Sequence, residues 1–278
     1  MGLKELLAAV EGKGDFSVWL GGLDGRAAFA HDAARLHYSA STMKLPVAIA
    51  MMRAVEEGLL ALDQPVTVHE DFASAYEGER FAVHRDDDDA PATWDHLGKQ
   101  VPLRWLAEQM ITLSSNLSTN LVLELTGVVA ADQALADALG DVDGERSVLR
   151  RGIDDRPAQL HRISNLMGAA DFAAVLIAVG NDTAASPSSC AYLRDLLAAN
   201  EWNDQIPAGL PSGVRVEHKN GWDVSIRHDA GIVRPADAEP FVLSVFTTSE
   251  LDDDAAQQWI ADVAAVAWEH RHDLGGVA

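Results

Sequence analysis

Hydrophobic and polar positions divide this chain into segments of different period. Residues 3–10 carry a short apolar run broken by Glu5 and Glu11, which predicts a brief amphipathic helix closed by Gly12 and Gly14. Apolar residues at 16–20 and 27–30 flank Gly21-Gly22-Leu23-Asp24-Gly25 and read as a hairpin. From Ser41 to about Gly58 the pattern is apolar on most sides, predicting a buried helix with Pro46 near its first turn, where proline is tolerated. Beyond Pro102 the period is helical again. Leu103, Leu106, Met110 and Ile111 share one face, Leu117, Leu121 and Leu125 another, and a further helix over 130–139 ends at Gly140. Helices also suit 166–179 and 187–202. Then β-rich runs appear at 214–218, 227–233 and 241–248. Asp252-Asp253-Asp254, acids suited to a helix start, open a last helix through Trp259, Val263, Val266 and Trp268.

This order predicts an α+β fold. Strands from both ends of the chain pair into one five-stranded antiparallel sheet, with terminal helices on one face and an all-helical lobe on the other. The expectation is a single catalytic domain over 1–278, with an α/β lobe from about 1–57 and 205–278 and a helical lobe of about 58–204. An active site belongs where the lobes meet. Two stretches resist the pattern: residues 66–98, with a short strand at Val66-Thr67-Val68, and the charged loop over 147–165.

Composition changes the picture mainly through charge. The chain has 43 acidic against 21 basic residues, a net charge of −22, which argues against nucleic acid and anionic membrane as partners. A single cysteine, Cys190, excludes an internal disulfide and a cysteine metal cluster, and its neighbours suggest a buried helical thiol. No apolar run is long enough for a secretory signal or a membrane span, so a cytoplasmic protein is expected. His69-Glu70-Asp71 with the run 86–89 reads as a solvated loop more readily than as a metal site. His270-Arg271-His272-Asp273 offers at most weak metal binding, and no cofactor is expected.

The candidate chemistry centres on Ser41 and Lys44, three residues apart and so on one helical face. A serine hydroxyl attacks only if its proton is taken, and an amine made neutral by burial or by a neighbouring cation can take it. Free N–H groups at a helix start can hold the oxyanion of an acyl transfer. By itself the pair reads equally well as an N-cap followed by a surface lysine.

Two further motifs join it. Ser114-Ser115-Asn116 sits between two helices, and Lys219-Asn220-Gly221 lies at the end of a strand. Together the three resemble the Ser-x-x-Lys, Ser-x-Asn and Lys-Thr-Gly signatures of serine β-lactamases and penicillin-binding proteins. The likeness covers nearly the whole chain and is strongest to class A β-lactamases and the related bacterial β-lactamase-like serine hydrolases. It extends to the stretch from Ser114 to Leu121, to His218-Lys219-Asn220-Gly221-Trp222 and to the stretch from Arg227 to Val233. The resemblance implies a serine hydrolase that forms an acyl-enzyme on a small-molecule or peptide-like amide or ester, and a monomer is expected. It implies Ser41 as nucleophile and Lys44 as its proton acceptor. Ser114 would relay the proton to the leaving group with help from Lys219. Asn116 would meet a substrate amide, the N–H groups of Ser41 and Trp222 would form the oxyanion hole, and Arg227 would face a substrate carboxylate.

The departures from that family are specific. The loop that carries the deacylating acid in class A enzymes reads Arg151-Gly152-Ile153-Asp154-Asp155-Arg156, with no such glutamate. Asp154 or Asp155 either replaces it or pairs with Arg151 and Arg156 at the surface. Ser115 stands where an aspartate is usual, Asn220 where a hydroxyl contacts the β-lactam carboxylate, and the bulky Trp222 where a small residue is usual. A true class A-type β-lactamase is one alternative, and a catalytically inactive penicillin- or peptide-binding module is another. A triad through His228-Asp229 is disfavoured, because neighbours on a strand point to opposite faces.

Overall fold

The strand Gly14–Gly22 (β1) sends Phe16, Val18 and Leu20 to one face and Trp19 to the other, as the two-residue period of a strand requires. The computed structural model describes residues 2–140 and 144–274. In it β1 pairs antiparallel with Ala27–His31 (β2) on one side and with the strand Phe241–Ser249 on the other. The sheet is completed by Arg215–Asp223 (β3) and Ile226–Arg234 (β4). With Phe241–Ser249 as β5, the strand order is β2-β1-β5-β4-β3. The chain's two ends thus meet in the sheet's middle, Val18 lying opposite Val245.

Each face of the sheet has its own core. On one, Phe16, Leu243 and Val245 pack with Leu6 of the helix Leu3–Ala9 (α1) and with Trp259, Ile260 and Val263 of the C-terminal helix Asp253–Glu269. On the other, Trp19, Ile232 and Phe246 meet Phe172 and Leu176 of the helix Ala169–Gly180. That second core continues through Lys44–Glu56 (α2), Leu103–Thr112 (α3) and Asn116–Thr126 (α4), whose leucines and methionines are almost wholly buried except Leu125, which is exposed at the end of α4. Cys190 is buried within the helix Pro187–Ala198.

Several local assignments shift. A 3₁₀ turn, Ala40–Met43, precedes α2, so the α-helix starts at Lys44 rather than at Ser41. Leu166–Gly168 is extended and pairs with Leu36–Tyr38, and the helix after it begins only at Ala169. Within 66–98, Asp71–Ala73 pairs with Arg80–Ala82, while Pro65–Thr67 pairs with Gln100–Pro102. These three-residue ladders are too short to leave a clear periodic trace, and two of them, Leu36–Tyr38 with Leu166–Gly168 and Pro65–Thr67 with Gln100–Pro102, depend on partners distant in sequence. Within 147–165, Asp155 caps a short helix, Arg156–Leu160, through the N–H of Ala158. Among the described residues no helix is long and apolar enough to cross a membrane. No group of three or more His, Cys, Asp or Glu side chains is placed there to hold a metal, and His69 pairs with Glu124.

Two imidazoles are buried beneath the segment that leads to Ser41. Ser17 gives its one hydroxyl proton to Asp32 O, so it can only accept from Nε2–H of His37, and His37 Nδ1 then accepts from Thr248. His228 Nε2 donates to Tyr38 O at 2.8 Å, while its Nδ1 accepts from Thr247 N. Burial lowers the pKa of His37 to about 4 and that of His228 to about 3. Both values lie below that of an unfolded histidine. The folded state therefore binds fewer protons, and stability is full above about pH 6.5 and is lost as pH falls toward these values. We expect a melting temperature that declines steadily as pH falls below 6.5. In NMR titrations these two rings should remain neutral at pH 5, where exposed histidines have titrated; a mid-range titration of both would refute the assignment.

Candidate active site

Two of the chain's five lysines, Lys44 and Lys219, are completely buried, and both lie at one place. Lys44 opens α2, so its side chain rises from the first helical turn directly after Ser41. Its Nζ lies 2.8 Å from Ser41 Oγ, 2.5 Å from Ser114 O, 3.2 Å from Ser114 Oγ and 2.7 Å from Asn116 Oδ1. Lys219, on β3, donates to Ser114 Oγ at 3.1 Å and to Asn220 O at 3.0 Å. The three motifs therefore converge, with Ser114 Oγ in contact with both amines.

Ser114 reaches both because its backbone is left-handed, φ 61°, between the end of α3 and the start of α4. The next residue, Ser115, is the N-cap of α4: its Oγ accepts from Ser118 N and donates to Asp88. Asp88 also accepts from Leu117 N at 2.8 Å, so two side chains together satisfy the first turn of that helix.

Burial dominates the electrostatics. Desolvation lowers the Lys44 pKa to about 8, against the upward pull of Asp88, Asp154 and Asp89. Lys219 is pushed well below the usual lysine range by burial and then by the charge of Lys44. An ammonium has three protons to donate, and Lys44 has four oxygens within reach. Once it is neutral, its lone pair can take the Ser41 proton.

The loop after the second motif is fixed by two asparagines. Asn120 exchanges two hydrogen bonds with the backbone of Ile153, and Asn165 accepts from the N–H groups of Arg150 and Arg151. Gly152 is needed there, since a Cβ would lie 2.6 Å from Asn120 Oδ1. Thus held, Asp154 adopts φ 60° and accepts from Asn116 Nδ2 at 2.9 Å. Burial raises its pKa, opposed by Lys44 and by the Asn116 donor. Asn116 and Lys44 link Asp154 to Ser41 through hydrogen bonds.

Some residues sit differently from expectation. Asp155 is fully buried, accepting from Ser74 Oγ and Ala75 N as well as from Ala158 N. Neither aspartate pairs with Arg151 or Arg156. The buried Arg151 instead lies over the Tyr38 ring, 5.3 Å from its centroid, and Arg156 reaches Gln159. Both N–H groups of the Asn116 amide are engaged, by Asp154 and by Asp87 O, and its oxygen receives Lys44. Asn220 is wholly buried among Lys219, Asn200 and Trp202. Arg227 is ion-paired with Asp253 and gives another proton to Ile226 O. His228 and Asp229 do point to opposite sides, Asp229 toward His218 and Ile206 N. Asp88 is indistinguishable in the sequence from the other acids of the run 86–89, and Asn120 and Asn165 carry no signal beyond their polarity beside apolar residues.

The third motif supplies backbone as well as charge. β3 is an edge strand, and its register opposes Trp222 to Arg227 on β4. The Arg227 carbonyl faces β5, where it accepts from Thr247 Oγ1 at 2.7 Å. This makes the Trp222–Arg227 pair a non-hydrogen-bonded one, with the Trp222 N–H on the open side of the sheet. Gly221 lets that edge abut the Ser41 turn, since a Cβ there would stand 2.9 Å from Ser41 N. The Ser41 N–H belongs to the first turn of its 3₁₀ segment, where helical donors have no helical acceptor.

Comparison with known proteins bears on the family and the fold. A model of the β-lactamase enzyme family matches residues 2–271. Beta-lactamase 1 of Streptomyces cacaoi is 26% identical over 182 residues, which is 59% of this chain and 52% of that protein's length. The chain thus spans about half the length of that relative. Among solved structures, an ancestral class A β-lactamase is 28% identical with a TM-score of 0.79, covering 96% of this chain and 97% of that one. A structure of PBP-A, 22% identical with a TM-score of 0.78, covers 99% and 98% and shows likeness of fold.

The Gly221 contact yields a direct test. Gly221→Ala should displace the Ser41 turn and lower acylation by about 100-fold, the scale of a misplacement near 1 Å, while the fold by circular dichroism is retained. Unimpaired acylation would mean that this approach of strand and turn does not matter.

Proposed function

This chain belongs to the β-lactamase enzyme family, and from that premise we propose a serine hydrolase that forms an acyl-enzyme on an amide or ester substrate. The observation that carries the proposal is the 2.8 Å contact between Ser41 Oγ and a fully buried Lys44 whose pKa is lowered to about 8. A surface lysine serving only as a helix-start cation has no reason to be stripped of water, and a binding module has no need of an amine poised to lose its proton.

The steps follow from the contacts. Neutral Lys44 takes the proton of Ser41 as Oγ attacks the carbonyl carbon, and the N–H groups of Ser41 and Trp222 hold the oxyanion. The proton then passes from Lys44 through Ser114 Oγ to the leaving group, whose bond to carbon breaks. Ser114 suits this relay because it touches both amines. The positive charge shared between Lys44 and Lys219 favours the developing anion. A water then attacks the acyl ester, giving its proton back along the same route and freeing the acid and Ser41. Asp154 supports the cycle by orienting Asn116 against Lys44, with Trp222 and Asn220 bounding the substrate cavity.

Deacylation is where this site departs from class A β-lactamases. The Asp154 carboxylate accepts from Asn116 and makes no hydrogen bond to Ser41 or Lys44, from which we infer that it activates the deacylating water poorly. Penicillin should therefore acylate once and leave slowly. Intact mass after incubation should show one adduct per chain, absent in Ser41→Ala. Turnover of penicillin at ~10 per second that collapsed in Asp154→Asn would make the chain a β-lactamase with an aspartate base.

The lysine role has a pH signature. With a pKa of about 8, the neutral fraction of Lys44 rises from about one tenth at pH 7 to about nine tenths at pH 9. Acylation by an activated ester should therefore climb about tenfold across that range. A flat profile would remove Lys44 as the base.

A further inference from the structure

Beside the third motif lies a cavity of about 140 Å³, bounded by Asp89, Trp202, Asp204, Gln205, Trp222 and Arg227, with Asn220 beneath. The run 86–89, read from sequence as a solvated loop, thus delivers one carboxylate to the active-site mouth. Asp89 is exposed at that mouth and lies near Lys44 and Lys219, yet neither amine hydrogen-bonds it. Those amines are engaged by Ser41, Ser114, Asn116 and Asn220.

The cavity's charge is the reverse of what a substrate carboxylate needs. Two carboxylates, Asp89 and Asp204, face one guanidinium, Arg227. Arg227 already has a counter-ion in Asp253, and its Nη1 is engaged by Ile226 O. Independently, Gln205 is 1% exposed and its Oε1 has no hydrogen-bond partner. A buried amide oxygen left unpaired costs about 1–3 kcal/mol, which a donor entering the cavity recovers. Arg227 Nε is also unpaired, but the same cavity is lined by two carboxylates, which disfavour an anion there. The remaining walls are indoles: Trp202 and Trp222 meet edge to face with centroids 5.2 Å apart, and such faces attract cations.

We propose that this cavity receives a cationic end of the substrate, an ammonium or guanidinium, with Asp89 as its counter-ion, Gln205 Oε1 as its acceptor and the two tryptophans as its walls. The proposal rests on the acyl-transfer reading above and adds a substrate class to it. It accounts for Asn220 and Trp222 together, since a site built for a cation requires neither a hydroxyl for a carboxylate nor a small residue. A net charge of −22 favours encounter with such substrates.

The test uses p-nitrophenyl esters of matched acyl chains ending in a guanidinium, a methyl or a carboxylate group. We expect kcat/KM to fall in that order. The preference for guanidinium over methyl should shrink about tenfold in Asp89→Asn and also in wild-type protein at high salt. The salt series needs no variant, so it decides the matter even if Asp89→Asn folds poorly. Preference for the carboxylate, or a ratio indifferent to both Asp89 and salt, overturns the cation site while leaving the hydrolase intact. If none of the three esters turns over and none leaves an adduct on Ser41, the acyl-transfer reading fails and the cation site fails with it.

Discussion

Two lysine amines buried on either side of one serine hydroxyl set the terms for the rest of this site. A buried ammonium is costly, and a second beside it more so, so the pair cannot hold both charges comfortably. The structure meets that cost with oxygens: Ser41 Oγ, Ser114 O and Oγ, and Asn116 Oδ1 around Lys44, and Ser114 Oγ with two oxygens of Asn220 around Lys219. What remains is a Lys44 amine with a pKa of about 8, able to exchange a proton near neutrality. Desolvation thus produces the reactivity, and hydrogen bonds keep the desolvation tolerable.

Presenting those oxygens demands unusual backbone. Ala40, Ser114 and Asp154 all have positive φ, a conformation that disfavours residues with a side chain, and all three flank the buried amines. Such positions cost about 1–3 kcal/mol each when strained. Neighbouring structure holds them. Asp88 and Ser115 fix the start of α4, Asn120 and Asn165 fix the loop before Asp154, and His228 fixes Tyr38 just upstream of the Ser41 turn. The polar residues with no direct part in chemistry are therefore the ones that make its geometry possible.

The sheet contributes an edge. Because no described strand pairs with β3 on its outer side, the outward N–H of Trp222 is left outside the sheet's hydrogen-bond ladder. Gly221 lets the edge approach Ser41, and the next side chain, Trp222, walls the cavity with Trp202. One strand thus provides a lysine, a close backbone contact and a recognition surface within four consecutive residues. The acidic excess of the chain also acquires a local meaning there, since Asp88, Asp89 and Asp154 all oppose the loss of charge from Lys44.

The sequence by itself determined the alternation of strands and helices and marked Ser41, Lys44, Ser114 and Lys219 as candidates for the chemistry. Each depends on local period or on residues whose identity announces their chemistry. Tertiary structure decided what depends on contact between distant segments. Burial, which sequence spacing cannot report, turned Lys44 from a possible surface cation into a candidate base. Asp154 and Asp155 are adjacent and alike in sequence, yet one supports Asn116 and the other caps a helix, because a single left-handed residue sends their side chains to different partners. Asp89 looked like one of several solvated acids until the 3₁₀ turn Arg85–Asp87 and the cap at Asp88 placed it against Trp222 and Arg227. Identical side chains in a run differ only in what the fold brings against them, and no sequence period encodes that.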